Sequence, residues 1–313
     1  MAKSEIFKKA LVLLVIAALA LSLAGCSEIK LESSLTDDVL VEINDQTLGS
    51  AEGIFRLMEL IDSYGDIDEN FFERSVDDMT MDEYLKLSVK EEMIKLLCIV
   101  FIADDLAIYL TDDELEEVYE EADAAYVKIA AEYAVSAYGI TQEDARALYE
   151  KQALYEKVYT ELTTSVTMSI SETDTKVIEV NFVLLPEGTT IDEADEFRDV
   201  LLSAADFATA CSSAGYEPYT NITLKKGDMI TAFENVAFAL SDGEISECTE
   251  TVDGIYIIEC IEDYLELESA ANYNAVITAA KDEIFEGTYS SFYESVEIRF
   301  NSSFWEDISA AGL

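Results

Sequence analysis

The chain alternates between two hydrophobic periods. Val39–Asn44 (VLVEIN) alternates apolar and polar positions as a strand does, and Asp45-Gln46 reads as its turn. Ile54, Leu57, Met58 and Ile61 then recur at helical spacing behind Ser50, a candidate N-cap. From Thr80 to about Thr164 the pattern predicts three successive helices. Thr80 with Glu83, and Thr111 with Glu114, have capping-box spacing, while Gly139 is placed to end the second helix and Thr141 to cap the third. At Lys176 the period changes. Val177–Leu185 predicts a strand, Asp192–Leu202 a helix, Asp206–Ser213 a short helical turn and Pro218–Ile222 an irregular stretch. Glu234–Leu240 reads as helical, and Ser246–Thr251 with Ile255–Ile261 as a hairpin about Asp253-Gly254. A long amphipathic helix begins at Ser269, and Val296–Phe300 (VEIRF) alternates like the first strand. This order predicts one domain inserted within another, with Val39–Asn44 and Val296–Phe300 paired in one small sheet.

Residues 1–26 stand apart. Lys3, Lys8 and Lys9 precede an apolar run from Ala10 to Ala24, too short for the ~20 residues of a membrane-spanning helix. The run ends in Leu23-Ala24-Gly25-Cys26, which resembles the lipobox of bacterial lipoproteins. That resemblance implies a signal peptide over 1–25, lipidation of Cys26, a polar tether over 26–37 and a chain held outside the cytoplasm on the cell membrane.

Composition narrows the chemistry. Sixty-six acidic against nineteen basic residues give a formal charge of −47, which excludes a nucleic-acid partner on electrostatic grounds. The 313 residues include no histidine, so Ser-His-Asp and Cys-His catalysis and HExxH zinc sites are excluded. Beyond Cys26 the cysteines are Cys98, Cys211, Cys248 and Cys260, with no CxxC pair. No metal or cofactor is expected. Cys98, in an apolar run, reads as a buried small hydrophobe, and Cys248 and Cys260 flank the hairpin close enough in sequence to lie near each other.

One stretch carries a family signal. Gly227–Leu240 with Gly243–Cys260 reads GDMITAFENVAFAL and GEISECTETVDGIYIIEC. It resembles the C-terminal half of parvulin-type peptidyl-prolyl isomerases, while Val180–Leu185 looks like their first strand and Phe207 with Cys211-Ser212-Ser213 like their helix and reactive turn. The wider layout is similar to extracytoplasmic foldases of the PrsA and SurA type. The resemblance implies an α+β chain with a mainly helical, chaperone-like domain built from 38–165 and 269–308, and a parvulin-like α/β domain over 176–265 inserted in it. It implies Met229 and Phe233 as proline-binding positions, Phe238 as a core aromatic, and Cys211, Tyr256 and Phe182 at the family's catalytic positions.

The departures are chemical. Phe182 and Tyr256 stand where the family carries histidines, and Tyr216–Thr223 (YEPYTNIT) replaces its glycine-rich loop. Rotation about an X-Pro bond crosses ~20 kcal/mol without breaking a bond, so it needs an apolar, dry cup and groups favouring the twisted amide. A phenol donates one hydrogen bond and a phenyl ring none. Cys211 reads equally as a buried inert thiol or as a participant. The expectation is a membrane-anchored foldase for unfolded or proline-containing secreted polypeptides, with weak or lost isomerase activity. The alternatives are a non-catalytic holdase and, less favoured, a structural or solute-binding envelope lipoprotein.

Overall fold

Asn301 shows how the two ends of the chain come together. Its buried side chain donates to the carbonyls of Thr36 and Val39, each at 3.0 Å, and its backbone N–H donates to Leu40 at 2.9 Å. The structure, a computed structural model, describes residues 29–31, 35–44 and 46–313. The leader 1–25, Cys26, Asp45 and most of the tether 26–37 lie outside the described residues. Helix and sheet are mixed throughout, as an α+β class requires, and the chain divides into two compact units. The first holds the residues up to Thr163 with Ile284–Leu313, and the second holds Thr164–Glu283.

The first unit contains a four-stranded sheet of β1 (Ile29–Leu31), β2 (Val39–Ile43), β3 (Gln46–Gly49) and β10 (Ile298–Phe300), in the order β1-β10-β2-β3. β10 lies antiparallel to β2, with Ile298 opposite Ile43 and Phe300 opposite Val41. The pairing expected from the two alternating segments is therefore present. All four of those side chains are buried, which fixes the register, since a one-residue slip would expose them. The β2–β3 turn differs from expectation: Asn44 takes a positive φ of 53° and Gln46 already pairs with Ile43. Asparagine tolerates that left-handed conformation better than most residues.

Four helices follow or pack on this sheet: α1 (Ser50–Ser63), α2 (Met81–Asp105), α3 (Asp112–Glu132) and α4 (Gln142–Thr163), with β4 (Ser75–Val76) and β5 (Met79–Thr80) forming a small ladder before α2. The Thr80/Glu83 and Thr111/Glu114 boxes form in both directions, each carboxylate accepting from the threonine N–H at 2.7 Å. Thr141 caps α4 through Asp144. Two local expectations fail. Ser50 is not the cap of α1: Gly49 occupies that place, its N–H donating to Glu52, and the Ser50 hydroxyl is buried with no hydrogen-bond partner among the described residues. Gly139 does not end α3, which stops at Glu132; it ends a 3₁₀ turn at Val135–Tyr138 instead. Gly53 is where α1 approaches β2, because a Cβ there would lie 2.3 Å from Leu40.

Among the described residues of this unit, buried charges have partners. Arg56 Nε lies 2.9 Å from both oxygens of Glu92, Gln152 donates to Glu92 at 3.1 Å, and Tyr149 donates to Glu59 at 2.7 Å. Burial drives the Glu59 carboxyl above the usual carboxylate range, with Arg56 opposing. Lys95 is likewise buried. It donates to Glu286 at 2.6 Å while its ammonium sits 5.0–5.7 Å from the rings of Tyr155, Phe285 and Tyr289. Such contacts offset the cost of desolvating an ammonium.

The second unit is a four-stranded sheet with helices on its faces. Its strands are β6 (Ile178–Leu185), β7 (Tyr219–Leu224), β8 (Thr249–Thr251) and β9 (Gly254–Glu262), in the order β7-β6-β9-β8 with every pairing antiparallel. The helices are α5 (Ile191–Ser203), α6 (Phe207–Ala214) and α7 (Thr231–Ala237), and the long α8 (Glu266–Tyr293) runs out of this unit into the first. A short α9 (Ser302–Asp307) follows β10. β6 and β9 are buried on both faces, which is why they read as near-continuous apolar runs. One face of the sheet carries Ile178, Val180, Phe182, Tyr256, Ile258 and Cys260 under α7; the other carries Val183, Leu185, Ile255 and Ile257 under α5 and α6. The segment expected to be irregular, Pro218–Ile222, instead enters β7. The long helix after β9 is also longer at its start than expected, α8 beginning at Glu266. Ser269 is not its first residue but an internal anchor, its hydroxyl accepting from Val177 N–H at 2.8 Å.

Candidate functional site

Along β6 the side chains alternate faces, so Phe182 points to the α7 side. Across the ladder it stands opposite Tyr219, the first residue of β7, and the rings stack 4.6 Å apart at 12°. Phe233, from α7, meets Phe182 edge-on at 5.1 Å and Tyr256 edge-on at 5.1 Å, and Phe182 and Tyr256 lie 5.9 Å apart. Four aromatic rings from four elements thus meet; three of them belong to the larger buried cluster of this sheet face, against which Met229 and Phe238 pack. Each such contact contributes about 0.5–1.5 kcal/mol beyond the area it buries.

The cluster is a stacked patch, not an open cup. Phe233 is fully buried, and Phe182 and Tyr256 are 7% and 6% exposed, whereas Tyr219 is 52% exposed. Phe233 is therefore a floor beneath Phe182 and Tyr256, and Met229, half-buried, is the member of the expected proline-binding pair that reaches the surface. Burial pushes the Tyr256 hydroxyl above the ordinary tyrosine range, with the charge of Asp253 adding to it, so the phenol is neutral near pH 7. Burial also pushes the Cys260 thiol on this face up to about 11. The exposed face of Tyr219 can stack on one side of an apolar ring, but Tyr256 and Cys260 exchange no proton near neutrality.

Cys211 is elsewhere. It lies in α6, fully buried among Val183, Phe197, Phe207 and Ile257 on the opposite face of the sheet. Burial, with the charge of Glu259 adding to it, pushes its thiol up to about 11. The family resemblance implied Cys211, Phe182 and Tyr256 at catalytic positions, with a buried inert thiol as the equal reading of Cys211. The fold separates them because residues 182 and 183 of β6 face opposite ways, and α6 covers the side of Val183. Cys248 and Cys260 are both free and are divided in the same way, Cys248 against the α5–α6 side and Cys260 on the α7 side. Cys98 is buried, its thiol pushed up to about 12 by that burial.

The Gly243–Ser246 motif serves the sheet. Gly243 N–H donates to Cys260 O at 2.7 Å, Cys260 N–H to Glu244 O at 2.9 Å, and Ser246 N–H to Ile258 O at 2.8 Å. The buried Ser246 hydroxyl accepts from Ile258 N–H at 3.0 Å, and Arg198 Nε donates to Ser246 O at 2.6 Å. These bonds hold β9, and Tyr256 with it, from the β8 side.

Two residues of the site were missed from sequence. Tyr219 falls in the stretch expected to be irregular, and only the spacing of Tyr216 and Tyr219 about Pro218 hinted at a ring placed for use. Glu234 follows Phe233 directly and accepts two backbone hydrogen bonds from the turn that carries Met229. No cluster of three or more metal-ligating side chains occurs among the described residues, and no described helix is long and apolar enough to cross a membrane.

No protein-family model matches the chain, and no curated protein sequence matches it. Among solved structures it is similar to the peptidylprolyl isomerase PrsA of Bacillus cereus, at 18% identity and a TM-score of 0.30, over 72% of this chain and 88% of that one. It is also similar to the foldase protein PrsA of Lactococcus lactis, at 11% identity and a TM-score of 0.32, over 85% and 95% of the two chains. A SurA-like chaperone structure from Campylobacter jejuni matches at 11% identity and a TM-score of 0.30, over 84% and 98%. No functional conclusion rests on likeness at these values.

Proposed function

We propose that this chain is a lipid-anchored extracytoplasmic foldase of the chaperone kind. In this reading it receives unfolded or proline-containing secreted polypeptides, holds proline rings on the aromatic patch of its second unit, and isomerises them slowly or not at all. The observation that carries the reading is the stacked pair Phe182–Tyr219 over Phe233 and Tyr256, with Tyr219 half-exposed. An exposed aromatic face stacked on a buried cluster, against which half-buried Met229 also packs, suits the flat, apolar pyrrolidine ring, whose burial contributes about 1–2 kcal/mol. The parvulin-like motif over 227–260 supports the same ligand. Lipidation at Cys26 rests on the lipobox, and the domain plan of 38–165 with 269–308 around 176–265 belongs to the same proposal.

Slow chemistry follows from what lines the patch. Acceleration requires interactions stronger at the twisted amide than at the planar one. Phe182 donates no hydrogen bond, the Tyr256 phenol can donate only one, and Cys211 is buried on the far face of the sheet. That placement also favours the second reading, a holdase without catalysis.

The test is a titration of residues 27–313 with a short proline peptide and its alanine counterpart, followed by amide chemical shifts. The reading expects shifts at Tyr219, Met229 and Tyr256 with the proline peptide and much weaker ones with alanine. Equal response to both peptides, or shifts confined to residues 38–163, would remove prolyl recognition from the second unit.

A further inference from the structure

Between β7 and α7 the chain makes a turn, Lys225–Met229, that a single carboxylate oxygen ties down. Gly227 N–H donates to Glu234 Oε1 at 2.7 Å, and Met229 N–H donates to the same oxygen at 3.0 Å. The turn also closes on itself, Lys225 N–H donating to Asp228 Oδ2 at 2.9 Å and Asp228 N–H to Lys225 O at 3.2 Å. Gly227 has φ +99°, a conformation side-chain-bearing residues rarely adopt, and a glycine there is free to leave it unless its amide is held.

The place of Glu234 links this turn to the aromatic patch. Phe233, its neighbour in α7, is the fully buried floor under Phe182 and Tyr256, and Met229, whose amide Glu234 holds, packs against the same cluster. Residues Lys225–Asp228 are exposed, so the two bonds hold a surface turn and do not fill a core. A methionine side chain has three rotatable bonds, and its usefulness as a wall depends on a fixed backbone beneath it.

We propose that Glu234 is a positioning residue for prolyl-ligand binding: by accepting the Gly227 and Met229 amides it sets Met229 against the buried cluster on which Tyr219 stacks. This rests on the reading of the patch given above. Hydrogen bonds from backbone amides to a carboxylate are stronger than neutral ones, and losing them loosens the turn before the ligand arrives. The ordering cost then falls on binding.

The full-length chain, its Glu234→Gln and Glu234→Ala variants and Glu234→Asp, one methylene shorter, are titrated with a proline peptide, with amide shifts and thermal melting recorded for each. Glu234→Ala is expected to weaken the peptide about fivefold to tenfold with little change in melting temperature, and to shift the Gly227 and Met229 amides upfield in the free protein. Glu234→Gln keeps an acceptor oxygen and is expected within about twofold of wild type, and Glu234→Asp to resemble Glu234→Ala. If Glu234→Ala fails to fold, the Asp and Gln pair decides by the same contrast. Wild-type affinity in Glu234→Ala with both amides released overturns the inference, as does a Gln variant as weak as the Ala variant. A wild-type chain with no affinity for the peptide removes the reading of the patch, and the inference with it.

Discussion

Phe182 and Tyr219 face each other across the β6–β7 ladder with their rings 4.6 Å apart and 12° from parallel, one buried and the other half in solvent. The buried ring makes the exposed one rigid. An exposed tyrosine alone would sweep several rotamers; stacked on Phe182 it presents one fixed apolar face. Tyr219→Ala removes that face without opening the core. The expected outcome is a loss of about 1 kcal/mol in prolyl-peptide affinity, roughly fivefold in Kd, with a melting temperature lowered by only a few degrees through the lost stacking on Phe182. Phe233→Ala differs in kind, costing about 3–5 kcal/mol of stability because the deleted ring is fully buried. Peptide titration beside thermal melting separates the two.

Cys211 supplies a test of which sheet face matters. Its thiol is packed among Val183, Phe197 and Ile257 and is pushed up to about 11 by burial. Cys211→Ala should therefore cost about 1 kcal/mol of stability through a small cavity and leave peptide affinity unchanged. In the native protein at pH 8, alkylation followed by peptide mapping should leave Cys98, Cys211 and Cys260 unlabelled. Rapid labelling of Cys211 would contradict its placement.

Glu59 gives the first unit a pH signature. Desolvation raises its pKa in the fold, and an unfolded glutamate titrates near ~4.3, so the folded state holds this proton more tightly. The stability this group contributes is complete below the unfolded value and is lost as pH rises through the folded one. Glu59→Gln keeps an acceptor for the Tyr149 hydroxyl and removes the buried charge, while Glu92 still pairs with Arg56. It is expected to raise the melting temperature by about 2–4 °C at pH 7.5, with the gain shrinking toward pH 4.5. A loss that is constant across that range would show that the Arg56 contact outweighs the desolvation.

What was legible in the sequence was local or doubly constrained. The Thr80/Glu83 and Thr111/Glu114 boxes depend on residues three apart, and both form. The pairing of Val39–Asn44 with Val296–Phe300 spans most of the chain, yet alternation left each strand one apolar face to bury and made them natural partners. β7 was hidden because it is an edge strand with polar, exposed positions behind Pro218, a pattern that resembles a loop. The sequence left Cys211 open between a buried thiol and a participant, because alternation alone does not say which sheet face its helix covers. Which face of β6 a helix covers is decided by packing between elements, and a single residue of alternation separates Phe182 from Val183. Glu234 carries no periodic signal at all, since its partners are backbone amides five and seven residues upstream.

The most direct measurement is the cis–trans exchange rate of a proline peptide followed by NMR magnetisation exchange, with residues 27–313 present as wild type, Tyr219→Ala and Cys211→Ala. The account predicts that wild type binds the peptide and leaves exchange near the uncatalysed rate, tens to hundreds of seconds at 25 °C. It predicts that Tyr219→Ala binds roughly fivefold more weakly and that Cys211→Ala behaves as wild type. Exchange accelerated by orders of magnitude in wild type and abolished by Cys211→Ala would contradict it.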